Sequence, residues 1–316
     1  MKLSMYLHED CLTYNGTDTM EEVKNKLSQF ADDLSSIYSS PIVDRSENQL
    51  ILSDTFYEAN VYQNFGLFDF LYAEGGDYDA ALLIVGALGN DASTASFTPA
   101  EIKAKAVYNP KEQDCVSTLI VLNESVFPDE LMQFDKYELV YNQHSWLHLR
   151  RQILANHPHS AHEFIASCRL YFSDMAFSES AEDSVVDYLT SIPRQIVYHL
   201  SYMNDYLYDF YCNHLPDVHM NSLLAEFAGR YHFDKAGSLN ATPEKKGNYT
   251  FTFHDDQGIG LSICCEPHFK IQFYDSIYHG SDANEKCRSR IYFFINHEKY
   301  KGIGKHILVG SIGPHA

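Results

Sequence analysis

The sequence lacks any long apolar run. No stretch approaches the roughly 18 consecutive apolar residues that a membrane-spanning helix needs, so we expect no transmembrane segment and no membrane partner. The first residues, MKLSMYLHED, also lack the apolar core of about 7–15 residues that a secretory signal carries. We therefore expect the chain to be made and kept in the cytoplasm.

Cysteines are few and irregularly placed. Seven occur, at positions 11, 115, 168, 212, 264, 265 and 287, and no Cys-x-x-Cys pair is among them. A zinc knuckle needs paired ligands at short spacing, and a disulfide framework needs an even number of cysteines in a secreted chain. Both are excluded, and free, mostly buried thiols are the favoured interpretation.

Nucleotide-binding and metal-binding signatures are missing as well. The sequence has no phosphate loop, dinucleotide fingerprint, kinase signature or Gly-x-Ser-x-Gly elbow. His144 and His148 have the four-residue spacing that can bind zinc, but the His-Glu-x-x-His motif of metalloproteases is absent. We predict no cofactor and no metal site, and we interpret these histidines as solvated or hydrogen-bonded.

Basic residues are scarce in most of the chain. The 316 residues hold 23 Lys+Arg against 43 Asp+Glu, a net charge of −20. Residues 231–316 hold 10 basic and 9 acidic residues, which leaves 13 basic and 34 acidic residues, a net −21, for residues 1–230. Such an acidic region either binds a basic protein partner or serves solubility. The asymmetry indicates two modules.

The predicted fold class is α+β. Composition and periodicity divide the chain into an acidic α/β region at 1–126, a helical region at 127–234, a linker at 235–247 and an antiparallel β domain at 248–316. In the first region, strands are predicted at 3–7, 49–64, 81–88 and 117–123. Thr19 and Glu22 have the spacing of a capping box, and they begin a helix whose apolar stripe extends to Ile37.

The segment 261–273 carries the most chemistry and is predicted as one long strand. Apolar and polar residues alternate along it, so one face belongs to the core and the other presents Glu266, His268 and Lys270. A carboxylate, an imidazole and an ammonium in a row form a general acid/base set. A partly exposed sheet face also carries polar residues without any catalytic role, and that alternative stays open.

Basic residues follow on the next predicted strand and beyond it. If residues 288–294 pair antiparallel with 261–273, Arg290 is expected beside His268. Residues 286–305 carry six basic residues against one acidic residue. The predicted catalytic set is Glu266, His268, Lys270, Arg290 and His315, and the predicted phosphate-binding set is Arg288, Lys299, Lys301 and Lys305.

Three short segments resemble the sheet of RelE-like bacterial ribonuclease toxins. They are Pro267-His268-Phe269-Lys270, the Arg290–Phe294 stretch and the Ile307–Gly310 stretch, within about 60 residues of the chain. The resemblance implies RNA cleavage without a metal by basic and His or Tyr side chains on adjacent strands. The chain departs from that family because the pair of helices before the sheet is not evident, Gly313-Pro314-His315 replaces a basic or Tyr ending, and Glu266 is unexpected.

Two functions are therefore predicted from different classes. The first is a sensor or adaptor with an acidic partner-binding region and a C-terminal sheet that binds nucleic acid. The second is a metal-independent ribonuclease of toxin type, with His268 as general acid/base and with Lys270 and Arg290 holding the phosphate. The chain as a whole is also similar to uncharacterised bacterial proteins of phage-defence loci, which implies a role in antiviral defence for either function.

Overall fold

The computed structural model describes residues 2–8, 12–39, 48–74, 76–89, 92–94, 97–105, 115–120, 139–216, 219–237, 244–273 and 287–314. The chain divides into two compact units, residues 1–150 and 151–316. The first contains a parallel sheet and the second an antiparallel-rich sheet with many helices, which confirms the α+β class. Within the described ranges, no helix is both long enough and apolar enough to cross a bilayer.

The first unit is a doubly wound α/β fold. Its strands are β1 (Lys2–Leu7), β2 (Asn48–Leu52), β3 (Asn60–Tyr62), β4 (Phe65–Gly66), β5 (Ala92–Thr94), β6 (Cys115–Ile120) and β7 (Leu139–Val140). Its helices are α1 (Met20–Ser39), α2 (Leu67–Asp69), α3 (Tyr78–Gly89), α4 (Pro99–Lys105) and α5 (Gln143–Asn156), and the boundary between the units falls inside α5. Five strands pair in parallel in the order β5-β2-β1-β6-β7, so the chain starts in the middle of the sheet and builds toward both edges.

Helix α1 has the predicted stripe and the predicted start. All five apolar residues of the stripe are buried: Val23, Leu27, Phe30, Leu34 and Ile37. The Thr19 backbone N–H donates to Glu22 Oε2 at 2.8 Å, and the Glu22 N–H donates to Thr19 Oγ1 at 3.3 Å. This reciprocal capping box satisfies backbone donors that a helix start otherwise leaves unpaired. The predicted strand at 3–7 is also confirmed, as β1.

The predicted strand at 81–88 is wrong, because these residues belong to α3. A short continuous apolar run fits a buried strand and a helix equally well by periodicity. The residue before the helix favours the helical conformation, since Asp77 Oδ1 caps the helix start by accepting a hydrogen bond from the Ala80 N–H at 3.0 Å. The other predicted strands are shortened: 49–64 becomes β2 and β3 with a turn between them, and residues 121–123 lie outside the described ranges.

The second unit is built around a five-stranded sheet in the order β8-β14-β13-β12-β9. Its strands are β8 (Met175–Phe177), β9 (Lys235–Gly237), β10 (Thr250–His254), β11 (Gly260–Cys264), β12 (His268–Phe273), β13 (Cys287–Ile295) and β14 (Ile307–Gly313). Its helices are α6 (Ala161–Tyr171), α7 (Ser180–Val185), α8 (Pro193–Tyr202), α9 (Tyr208–Cys212) and α10 (Met220–Arg230). Residues 235–237, predicted as the start of a linker, form the edge strand β9 instead.

Segment 261–273 is two strands rather than one. Strand β11 pairs with β10 in a separate hairpin, whereas β12 pairs with β13 and β9 in the main sheet. The chain leaves the first sheet at Cys264 and enters the second at His268, with Pro267 between them. Proline has no N–H for a sheet ladder, so it ends a central strand. Its carbonyl still accepts a hydrogen bond from the Phe293 N–H at 2.9 Å.

An aromatic core covers one face of the main sheet. The Phe269 ring of β12 stacks on the Phe293 ring of β13 with centroids 5.1 Å apart. Phe227 of α10 and Phe233, which follows α10, contact Phe269 at 5.6 and 4.9 Å. All four rings are buried, so this face is the one that the helices pack against. The opposite face carries the polar residues of β12 and β13.

Candidate nucleic-acid interface

A row of cationic residues crosses three neighbouring strands of the main sheet. Lys270 on β12 is the register partner of Arg290 on β13 and of Lys235 on β9. Strands in a sheet lie about 4.8 Å apart, so the row is about 10 Å long. One position pair further along, Arg288 is the partner of Gln272. Since side chains alternate with period two, Lys270 and Arg290 belong to the same face of the sheet.

The guanidinium of Arg290 contacts a tyrosine of the same strand. Its Nη1 donates to Tyr292 Oη at 3.1 Å. Its Nε is buried and has no hydrogen-bond partner within the described part of the chain. Lys270 and Arg290 hold directly opposite positions on neighbouring strands, so an anion bound there would meet two cationic residues. An oxyanion such as phosphate suits the planar fork of arginine.

The structure places His268 in the interior, not at the solvent. Its side chain is only 3% exposed. Its Nδ1–H donates to the Glu266 carbonyl oxygen at 3.2 Å, and its ring lies 5.2 Å from the Tyr292 ring. The expected neighbour was Arg290, but the register pairs His268 with Tyr292 instead. Arg290 and His268 both contact Tyr292.

The β10–β11 hairpin packs on Tyr292 at this end of the polar face. Phe253 of β10 and Ile263 of β11 join Tyr292 of β13 and Leu308 of β14 in one apolar cluster. The hairpin also lies against β14 so closely that a Cβ on Gly310 would stand 2.2 Å from Phe251 Cδ2. The polar face of the sheet therefore has a covered aromatic end and a cationic end.

Glu266 is engaged in local contacts in the turn between β11 and β12. Its Oε1 is 3.8 Å from Lys246 Nζ, and Cys264 Sγ is 3.8 Å from the same oxygen. Burial, with the Glu266 charge second, raises the pKa of the Cys264 thiol. Burial also raises the pKa of the Cys265 thiol. Both thiols are therefore held in the neutral form, which is a poor nucleophile.

The remaining predicted binding lysines lie beyond the other end of β13. Lys299 Nζ stands over the Phe294 and Tyr300 rings at 5.5 and 5.2 Å, and Lys301 pairs with Glu298 at 3.7 Å. Lys305 Nζ donates to the Ser173 carbonyl at 2.7 Å. Strand β13 continues for five residues beyond Arg290, about 17 Å at about 3.3 Å per residue, before the chain reaches these lysines. The structure thus divides the predicted basic strip. His315 lies outside the described residues.

The structure also contains a cluster of one tyrosine and two histidine rings that the sequence did not predict. The Tyr208 ring of α9 stacks on the His306 ring with centroids 3.8 Å apart, and Tyr208 Oη is 3.1 Å from His297 Nδ1. His306 Nδ1 is 3.6 Å from Asp174 Oδ1. The contacting pairs are separated by 89 to 132 positions in sequence, so no local spacing could have predicted the cluster.

One pair of neighbouring histidines lies on α5. His144 and His148 share a face of α5, with their Nε2 atoms 2.9 Å apart. Within the described residues, no group of three or more His, Cys, Asp or Glu side chains is placed to hold a metal ion.

Comparison with protein-family models, with curated proteins and with solved structures finds no match to this chain. The resemblances to RelE-like toxins and to phage-defence proteins therefore stay predictions.

Proposed function

We propose that this protein is a cytoplasmic binding protein of the sensor or adaptor type, whose C-terminal sheet binds the phosphate backbone of a nucleic acid. The observation that carries the proposal is the Lys270–Arg290 register pair, with Lys235 and Arg288 at neighbouring positions of the same face. Phosphate contacts from Lys and Arg supply most of the affinity of sequence-independent binding.

Binding is a better-supported function for this face than cleavage. The ribonuclease hypothesis needs His268 within hydrogen-bond reach of an RNA ribose or phosphate. The side chain is 3% exposed, packs beside the Tyr292 ring and directs its Nδ1–H at a backbone carbonyl. A role for either function in phage defence remains a prediction from resemblance.

The acidic part of the chain supplies the second half of the proposal. Residues 1–230 carry a net −21 by sequence, and such a field speeds association with a basic protein partner. The cytoplasmic setting is supported by the free thiols of Cys168, Cys212, Cys264 and Cys265, since reduced cysteines fit a reducing compartment. Partner capture at low salt and release at higher salt is the expected behaviour.

The test of the nucleic-acid site uses two double variants with the same net charge. Full-length protein is titrated onto labelled single-stranded RNA as wild type, as Lys270→Gln/Arg290→Gln and as Lys299→Gln/Lys301→Gln. We expect the first pair to lose at least about tenfold in affinity and the second to lose about twofold or less, with the RNA intact on a gel. Equal losses in the two variants would overturn the site.

The RNA gel also decides between binding and cleavage. Metal-independent cleavage that disappears in His268→Gln, with the circular dichroism spectrum unchanged, would replace the binding proposal with the ribonuclease hypothesis. If the wild-type chain does not bind RNA at low salt, both the binding proposal and the ribonuclease hypothesis are overturned.

A further inference from the structure

An exposed apolar surface lies on the first unit. Six of the thirteen large apolar side chains that the described residues expose lie between positions 57 and 85. They are Tyr57, Tyr72, Tyr78, Leu82, Leu83 and Val85. Single exposed apolar residues are ordinary, but a contiguous group marks an interaction surface.

Ring contacts and helix periodicity make these residues one surface. The Tyr57 ring stacks on Phe68, Phe68 stacks on Tyr72, and Tyr72 meets the edge of Tyr78, with centroid distances of 5.9, 6.1 and 5.7 Å. From Tyr78, the first residue of α3, the surface continues along that helix through Leu82 and Val85. Positions i, i+4 and i+7 form one stripe on a helix.

The outward side of α3 is thus apolar although its inward side is already packed. Ala81 and Ile84 are fully buried, while Tyr78 is 62% and Leu82 is 50% exposed. Gly86 lies on the exposed side, and a Cβ there would meet nothing within 4 Å. A helix face with an apolar stripe and a glycine allows the close approach of a second helix.

The charge around this surface selects the partner. Residues 46–102 hold nine acidic residues and no Lys, Arg or His. Asp69 and Asp79 are exposed on the elements that carry the surface. Lys24 of α1 is a nearby cation, and it helps lower the pKa of Asp77 after hydrogen bonds from Ser28 and the Ala80 N–H. A second copy docked face to face would bring acidic rims together, which like-charge repulsion disfavours.

We propose that the surface formed by Tyr57, Phe68, Tyr72, Tyr78, Leu82 and Val85 binds a basic amphipathic helix of a partner protein. The apolar stripe of the partner packs along α3 and against the stacked rings, and its Lys and Arg residues face the acidic rim. The proposal deepens the protein-partner half of the proposed function and rests on it. It is independent of the nucleic-acid site.

The test uses a defined probe and full-length protein. A labelled Leu/Lys peptide of about 18 residues, with its leucines on one helical stripe, is compared with a scrambled peptide of equal composition by fluorescence anisotropy. We expect the amphipathic peptide to bind at least about tenfold more tightly than the scrambled one. Leu82→Ser/Val85→Ser is expected to remove about tenfold of that affinity.

The matched control is Leu170→Ser/Val186→Ser, which changes side chains that are 45% and 53% exposed elsewhere in the chain. It is expected to bind the amphipathic peptide like the wild type. Equal loss in both variants would overturn the assigned surface. Equal, salt-sensitive binding of both peptides would overturn the helix proposal but leave the acidic partner function in place. If neither peptide binds at low salt, both fail.

Self-association is measured on the same samples by sedimentation. A dimer of the wild type that Leu82→Ser/Val85→Ser converts to a monomer would overturn the proposal and assign the surface to a second copy. A monomer in every variant supports the basic helix as occupant.

Discussion

Lys270 and Arg290 face each other across β12 and β13, while two residues along the same face His268 faces Tyr292. The two pairs differ in charge and in burial. The first consists of two cationic residues, whereas both residues of the second are buried. The sheet thus presents positive charge at one end and excludes water at the other. This division supports phosphate binding at the cationic end and a structural role for the histidine.

The salt dependence of RNA binding reports the contribution of Arg290. Each phosphate contact with a single strand contributes about 0.7 to the slope of log K against log salt concentration. Arg290→Gln is therefore expected to weaken binding of all sequences alike and to lower that slope by about 0.7. Titrations over a range of salt concentrations measure it. Lys301→Gln is the control, since its ammonium pairs with Glu298, and an equal slope change there would contradict the prediction.

His199 is expected to make the protein less stable as the pH falls below about 6.5. Burial lowers its pKa from 6.5 to about 4, although the hydrogen bond to the Gln195 carbonyl acts in the other direction. Between these values the unfolded chain binds a proton that the folded chain does not, so stability rises with pH. The full difference is about 3 kcal/mol at about 1.4 kcal/mol per pKa unit.

Urea unfolding at several pH values from 4 to 7 tests the role of His199. His199→Phe keeps an aromatic ring beside Phe233, whose centroid is 4.0 Å from that of His199. This variant is expected to lose most of the difference between pH 7 and pH 4.5. His219→Phe, at an exposed position, should retain it. A wild-type stability that does not change over this interval would contradict the assignment.

The sequence correctly predicted those structural features that depend on interactions within a single helix or strand. The capping box at Thr19 and the stripe ending at Ile37 define α1 almost to the residue. Alternation also predicted which residues of β12 enter the core, since Phe269 and Ile271 are buried as their period indicates. In these cases one element and its own periodicity carry the information.

The failures concern contacts between elements that are distant in sequence. His268 has the position of a polar-face residue but is only 3% exposed, because tertiary packing decides which part of a face remains exposed. Lys235 is the register partner of Lys270 because residues 235–237, predicted as part of a linker, form the edge strand β9. The exposed apolar side of α3 was not predicted, because the apolar run at 81–88 was interpreted as a buried strand.

The buried ion pair between Arg151 and Asp205 is expected to be essential for stability. Arg151 Nη1 and Nη2 donate to the two Asp205 oxygens at 2.7 and 3.0 Å, and its Nε and Nη2 also donate to the Tyr171 carbonyl. Asp205→Ala leaves a buried guanidinium without its carboxylate, which costs about 3–5 kcal/mol. Glu298→Ala, at an exposed pair, costs about 0–1 kcal/mol. Urea unfolding compares them, and equal midpoints would contradict the prediction.

Two glycine substitutions test how closely the β10–β11 hairpin packs on β14. Gly310→Ala places a methyl group against the Phe251 ring, which cannot move without disturbing the hairpin, so a loss of about 1–3 kcal/mol is expected. Gly229→Ala, in α10, meets nothing within 4 Å and is expected to stabilise by about 0.5–1 kcal/mol. Thermal unfolding should therefore shift in opposite directions for the same chemical change. An unfolding temperature of Gly310→Ala equal to that of the wild type would contradict the close packing of the hairpin on β14.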